Sequence, residues 1–119
     1  MQIVERSVGD VTILDLKGRL LLGDGDEEFR DTVDRLVQLG RRKVLLNLDE
    51  VTHIDSAGLG MMVSKYITLL KRDGQLKLCH LHLRSFRVLN VTKLLTVFES
   101  FSSEAEAIES FDKKDQADS

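Results

Sequence analysis

Val51-Thr52-His53-Ile54-Asp55-Ser56-Ala57-Gly58-Leu59-Gly60 is the stretch on which the fold turns. An apolar run, Lys43-Val44-Leu45-Leu46-Asn47-Leu48, precedes it, and an amphipathic helical run from Leu59 to about Lys71 follows. The stretch is therefore read as a strand-to-helix junction, with Ser56 where the helix begins. A serine there can accept hydrogen bonds from the first free backbone N–H groups. The same groups, with the positive end of the helix dipole, would welcome a phosphate on the hydroxyl. Gly58 and Gly60 have no side chain, so another protein's backbone could approach closely. Asp55 could orient or polarise the hydroxyl. Spacing alone leaves two readings open: a plain helix cap, or a presented serine.

Before this junction, Ile3–Val8 and Val11–Lys17 read as strands joined by the turn Gly9-Asp10, which makes a hairpin. Gly18 is expected to end the second strand, and Leu20-Leu21-Leu22 has no clear state. Asp24, with Glu27 three positions on, resembles a capping box. The helix after it should run to about Leu39, with Phe29, Val33, Leu36 and Val37 on one face and Gly40 as the stop. Val44-Leu45-Leu46 with Leu48 suggests a strand buried on both faces, as in parallel pairing.

After the junction, Leu59, Met62, Val63, Tyr66, Ile67 and Leu70 form the apolar stripe of a helix closed by Asp73-Gly74. Gln75–Leu81 reads as a strand and Arg84–Val91 as a short helix. Leu94, Leu95, Val97 and Phe98 read as an apolar return, a short strand. Ser103 with Glu106 is a capping-box signature for a last helix through Phe111, burying Ile108 and Phe111. Strands alternating with helices imply parallel pairing through right-handed crossovers, and the opening hairpin adds an antiparallel strand. The expected fold is one α/β domain over residues 1–112, a mixed sheet with about four helices, followed by a polar tail over 113–119. Ser56 then lies beyond the C-terminal end of a central strand, where open α/β sheets place their sites.

Composition narrows the chemistry. The 119 residues suit one domain with a real core, and 42% hydrophobic with 31% charged residues fits a globular protein. A net charge of −3 argues against nucleic-acid binding, which needs a basic patch. Arg41-Arg42-Lys43 reads as a solvated helix end and strand start. No run approaches the roughly twenty apolar residues that span a bilayer. Met1–Asp10 lacks signal-peptide character, so a cytoplasmic location without membrane insertion is expected. Cys79 is single and lies in an apolar run, which reads as a buried inert thiol in a reducing compartment.

Enzymatic readings find no partner set. A nucleophile elbow needs a glycine two before the serine, and position 54 is isoleucine. His53 is too close in sequence to serve Ser56 as a base. His80 and His82 could share a strand face, but no further ligands complete a zinc site. Gly58-Leu59-Gly60 lacks the third glycine of a dinucleotide fingerprint. The acids from Asp24 to Glu28 read as a helix N-terminus. Met61 could give a partner an adaptable apolar contact, whereas Met62 belongs to the core stripe. What remains is a small domain with one presented serine and no cofactor or metal.

At Asp55-Ser56-Ala57-Gly58-Leu59-Gly60 the chain resembles the STAS family, which includes bacterial anti-sigma factor antagonists and cytoplasmic domains of sulphate transporters. The resemblance runs from about Ile3 to Phe111. It includes the opening hairpin, Gly18-Arg19-Leu20, and Leu89-Asn90-Val91-Thr92-Lys93-Leu94-Leu95. It implies that Ser56 is phosphorylated by an anti-sigma factor that is itself an ATP-dependent serine kinase of histidine-kinase-like fold. A metal-dependent serine phosphatase reverses this, and the unphosphorylated antagonist sequesters the anti-sigma factor. Asp55, Gly58, Leu59 and Gly60 would belong to the partner-facing helix start. Many relatives carry a second hydroxyl residue where this chain has Ala57, so the assignment rests on Ser56 alone. A different kind of family member, a constitutive subunit of a larger assembly such as a lipid transporter, would use Ser56 only as a cap.

Overall fold

The computed structural model describes residues 1–85 and 95–117, with side chains to residue 112. Five strands form one mixed sheet in the order β1-β2-β3-β4-β5. They are β1 Gln2–Val8, β2 Val11–Leu20, β3 Lys43–Ile54, β4 Gln75–Cys79 and β5 Ser100–Phe101. The helices among the described residues are α1 Asp26–Gln38, α2 Ser56–Leu70, a 3-10 turn at Leu83–Ser85 and α3 Glu104–Ala117. β1 pairs antiparallel with β2, and every other neighbouring pair is parallel. This is the expected mixed α/β sheet.

The layers follow from the connections. Successive right-handed crossovers that step the same way along a sheet put their helices on one face. α1 and α2 accordingly share a core with Leu14, Leu16, Val44, Leu46, Leu48 and Leu76. The odd-numbered side chains of the same strands, Val11, Ile13 and Leu45, point the other way and pack with Cys79, Ala107 and Phe111 under α3. β3 is thus buried on both faces, as its unbroken apolar run requires. Lys77 is the exception on the α3 face. Only 2% exposed, its ammonium bonds Ser110 Oγ at 2.8 Å, pairs with Glu99 at 3.2 Å and lies 4.7 Å from the Phe111 ring. Beside α3's first turn, Arg6 binds both oxygens of Asp15 (2.6 and 2.9 Å) and reaches Glu104 at 2.5 Å. The Arg6 guanidinium holds the Asp15 carboxyl below the usual carboxylate range, although partial burial opposes it. Burial pushes the Cys79 thiol up to about 11, consistent with an inert core thiol.

Several local expectations need correction. β2 does not end at Gly18. It crosses a register shift there, with Gly18 at φ 108, and continues to Leu20. β3 does not end at Leu48 but runs six residues further, with Val51 and Ile54 buried. Asp24 does not cap α1. The N-cap is Gly25, at φ 102, and Asp26 Oδ1 instead accepts from the Gly23 and Glu27 N–H groups. The stop at Gly40 is as expected, a Schellman closure with Gly40 N–H to Val37 O and Arg41 N–H to Leu36 O. In α2 the stripe ends on Leu69, which is buried, whereas Ile67 and Leu70 are exposed. The short strand expected over 94–98 lies later, at Ser100–Phe101, while Phe98 is buried and meets the Tyr66 ring edge-on at 5.4 Å. β4 closes at Cys79 rather than Leu81. Ser103 caps α3 through Glu106 N–H at 3.0 Å, Ile108 is only partly buried, and the helix runs past Phe111 to Ala117. The helix expected at 84–91 falls, beyond Ser85, outside the described residues, as does most of the 89–95 stretch.

Candidate functional site

Only Asp55 separates β3 from α2, so strand and helix meet almost without a loop. Asp55 is extended (φ −99, ψ −177) and is the N-cap of α2. Its Oδ1 accepts from the Gly58 N–H at 2.8 Å, satisfying one of the first-turn donors that no helical carbonyl can reach. Its Oδ2 accepts from the Leu22 N–H at 3.0 Å, 33 residues earlier in the chain. One carboxylate therefore fixes both the helix start and the turn after β2.

The cap expected at Ser56 is thus supplied by Asp55. Ser56 is the first helical residue and is exposed. Among the described residues no hydrogen bond joins Asp55 to the Ser56 hydroxyl, since both carboxylate oxygens face backbone amides. Asp55 positions the serine's backbone and does not polarise its oxygen. His53 Nδ1 lies 3.0 Å from Thr52 Oγ1, turned to its own neighbour.

The glycines of the stretch do different work. Gly58 is buried, and a Cβ there would overlap the carbonyl oxygen of Leu20, with the Leu20 carbonyl carbon at 2.9 Å and Cγ at 3.0 Å. That carbonyl also accepts from the Asp55 N–H at 3.4 Å. Gly58 lets α2 settle on the end of β2, so its lack of a side chain serves the fold and not an incoming partner. Leu59 is fully buried in the core shared by α1 and α2. Gly60 is exposed with open space around it, and Met61 is partly buried at the core's rim. Of the residues singled out in this stretch, Ser56 and Gly60 are therefore exposed, and Asp55 and Met61 are partly so.

Sequence reasoning missed Leu22. It lies beside the site through the Asp55 bond and is 75% exposed. The sequence offers only the run Leu20-Leu21-Leu22, whose state it leaves open.

Elsewhere, His82 Nε2 meets Asp49 Oδ1 at 2.9 Å, which holds the Asp49 carboxyl below its usual range. His80 has a positive φ of 56. Among the described residues no three His, Cys, Asp or Glu side chains cluster as metal ligands would, and no helix is long and apolar enough to cross a membrane.

Asp55→Ala is expected to lower stability by about 1–2 kcal/mol, the upper part of the range for a lost N-cap, because a second amide also loses its acceptor. Ser56→Ala should stay within about 0.5 kcal/mol of wild type, as an exposed substitution away from any cap. Urea denaturation of the two variants checks the order, and a larger loss for Ser56→Ala would return the cap to the serine.

Residues 2–107 match the STAS domain. Over 61 residues the chain is 36% identical to the anti-sigma-B factor antagonist of Listeria monocytogenes, covering 51% of this chain and 54% of that one. The chain thus spans about half the length of the curated relatives it matches. Among solved structures, a Thermotoga maritima protein assigned as an anti-sigma factor antagonist superposes with a TM-score of 0.80 at 28% identity, covering 91% of this chain and 92% of that one. The phosphorylated form of the Bacillus cell fate determinant SpoIIAA superposes at 0.70 with 17% identity, covering 92% and 99%, a likeness of fold. The match of nearly the whole chain to one family, on a fold built as its relatives are built, makes this chain a member of the STAS domain family.

Proposed function

We propose that this chain is an anti-sigma factor antagonist, a binding module that sequesters an anti-sigma serine kinase while Ser56 is unphosphorylated. The observation that carries the reading is the placement of Ser56. It is exposed on the first residue of α2, at the C-terminal end of β3, with its backbone held by a cap that leaves the hydroxyl free of Asp55. Similarity to anti-sigma factor antagonists in sequence and structure supports it.

The physics of such a switch is simple. A phosphate adds about −1.5 to −2 charges at neutral pH. At the first residue of a helix that charge is favoured by the dipole, so the domain stays folded. At a close interface the same group occupies space and must be desolvated, so association weakens. The partner is a kinase of histidine-kinase-like fold that brings its own ATP, and a serine phosphatase resets the state. Asp55, Gly58 and Leu59 shape the site from within, and Ser56, Gly60 and Met61 face the partner.

The test is phosphate transfer. Incubated with ATP and the kinase-like anti-sigma factor of the same organism, wild type should gain one phosphate on Ser56, located by peptide mass spectrometry, and Ser56→Ala none. Phosphate elsewhere, or none on wild type, would favour a constitutive STAS subunit of a larger assembly.

A further inference from the structure

The turn Gly9-Asp10, the link from α1 into β3 and the link from α2 into β4 meet at one end of the sheet. Val11, Lys43 and Gln75 are register partners there, at the starts of β2, β3 and β4. Between them lies a cleft of about 400 Å³, walled by Asp10, Arg41, Arg42, Lys43, Asp73 and Gln75. Ser56 follows the other end of β3. The length of that strand separates cleft from serine, roughly 35 Å at about 3.3 Å per residue.

The charges around the cleft are not all paired within the domain. The Lys43 ammonium pairs with Asp10 at 2.9 Å and lies 3.9 Å from Asp112. Arg41 and Arg42 are exposed, and among the described residues no carboxylate lies within ion-pair distance of either guanidinium. Asp73, the cleft's other carboxylate, is exposed at a left-handed φ of 60. Two guanidiniums against one carboxylate leave the cleft positive, on a chain whose net charge is −3.

The arginines also start from a fixed backbone. Arg41 N–H donates to Leu36 O at 3.0 Å in the closure of α1, and Arg42 O accepts from Gln75 N–H at 2.7 Å. A Cβ at Gly74 would meet that same carbonyl at 2.7 Å, so the two links pack backbone to backbone. Such preorganisation reduces the entropy lost when a ligand engages the side chains. Gln75 Oε1 is buried without a hydrogen-bond partner. An amide so placed gains by turning to a donor brought into the cleft.

We propose that this cleft binds an acidic segment of another protein, with its carboxylates on Arg41 and Arg42 and a backbone N–H on Gln75 Oε1. Guanidinium and carboxylate match as planar, bidentate partners. A peptide brings carboxylates and N–H donors together, which a simple anion does not. The distance to Ser56 lets the domain hold this segment and a partner at the serine at the same time.

Fluorescence anisotropy of a labelled, end-blocked hexaglutamate peptide against the full chain tests this. Wild type should bind, and less tightly as added salt screens the pairs. Replacing Arg41 and Arg42 together by alanine should weaken binding about tenfold or more, the loss of at least one charge-assisted pair. Asp73→Asn should tighten it, because a like charge leaves the cleft while asparagine tolerates the left-handed backbone. Arg30→Ala, which removes a cation already paired with Asp31, should bind as wild type, and so should Ser56→Asp. All variants should melt with wild type. No binding by wild type, an unchanged affinity in the double arginine variant, or equal weakening by Arg30→Ala would overturn the proposal. Displacement of the peptide by an equal concentration of inorganic phosphate would make the cleft a general anion site, and tighter binding of single-stranded RNA would make it a nucleic-acid face. Either result contradicts a peptide site. Weakened binding by Ser56→Asp would place the peptide at the serine instead.

Discussion

Gly58→Ala is expected to destabilise the domain, while Gly60→Ala, two residues on in the same helix, is expected to stabilise it. In a helix interior alanine is favoured over glycine by about 0.5–1 kcal/mol, because glycine loses more backbone freedom on folding. At Gly60 nothing lies within 4 Å of the added methyl, so that preference should appear undiminished. At Gly58 the methyl would overlap the Leu20 carbonyl oxygen. The obstacle is backbone at the end of β2, not the far end of a flexible side chain, so relief requires α2 and β2 to move apart. Overpacking of this kind costs about 1–3 kcal/mol, occasionally more, and it must first cancel the helix preference. The separation would also stretch the Asp55 bonds to Leu22 and Gly58. Chemical denaturation of both variants reads the signs directly. If Gly58→Ala proved as stable as Gly60→Ala, the contact between α2 and β2 would be wrong.

Leu45→Ala should destabilise by about 2–5 kcal/mol, the range for truncating a buried leucine where the surroundings cannot fully close on the cavity. Leu45 is fully buried in the smaller core, against Val11, Ile13, Cys79, Ala107 and Phe111. That core is what holds α3 to the sheet, together with the Lys77–Ser110 bond and the Arg6–Glu104 ion pair. Loss of Leu45 should therefore loosen α3 first, seen as faster amide exchange in Glu104–Phe111 than in α1. Val63→Ala should have a smaller effect, because Val63 is only partly buried at the rim of the larger core. An unchanged denaturation midpoint for Leu45→Ala would mean that β3 is not buried on both faces.

What could be read from the sequence was set by local chemistry. The hairpin at Gly9-Asp10, the double burial of Val44–Leu48, the Gly40 stop and the Ser103 cap each follow from residues within a few positions of one another. What could not be read was set by contacts across the fold. Asp55 and Ser56 are both good N-caps, and only the extended backbone at Asp55 decides between them. Gly18 looks like a strand end, yet pairing with β3 resumes beyond it at Arg19 and Leu20. The α2 stripe ends on Leu69 and not Leu70, where the chain folds back so that the Gly74 N–H donates to the Leu69 carbonyl at 2.7 Å, a closure set by the chain beyond the helix. In the candidate site, the serine and its neighbours were legible as a continuous hexapeptide. The internal role of Gly58 depends on Leu20, and the presence of Leu22 at the site depends on Asp55. Neither relation leaves a periodic trace in the sequence.

The central claim is that the state of the Ser56 hydroxyl controls association and not folding. Titration calorimetry of wild type, Ser56→Ala and Ser56→Asp against the kinase-like anti-sigma factor with ADP tests it most directly. Aspartate at the first residue of α2 suits the helix dipole, so all three proteins should remain folded. Its carboxylate carries less charge and fewer oxygens than a phosphate, so it reports a lower limit of the switch. Wild type and Ser56→Ala should bind with similar affinity, and Ser56→Asp about tenfold or more weakly, a difference of roughly 1.4 kcal/mol. Equal affinities for all three, with no phosphate passing from ATP to the wild-type serine, would contradict the account.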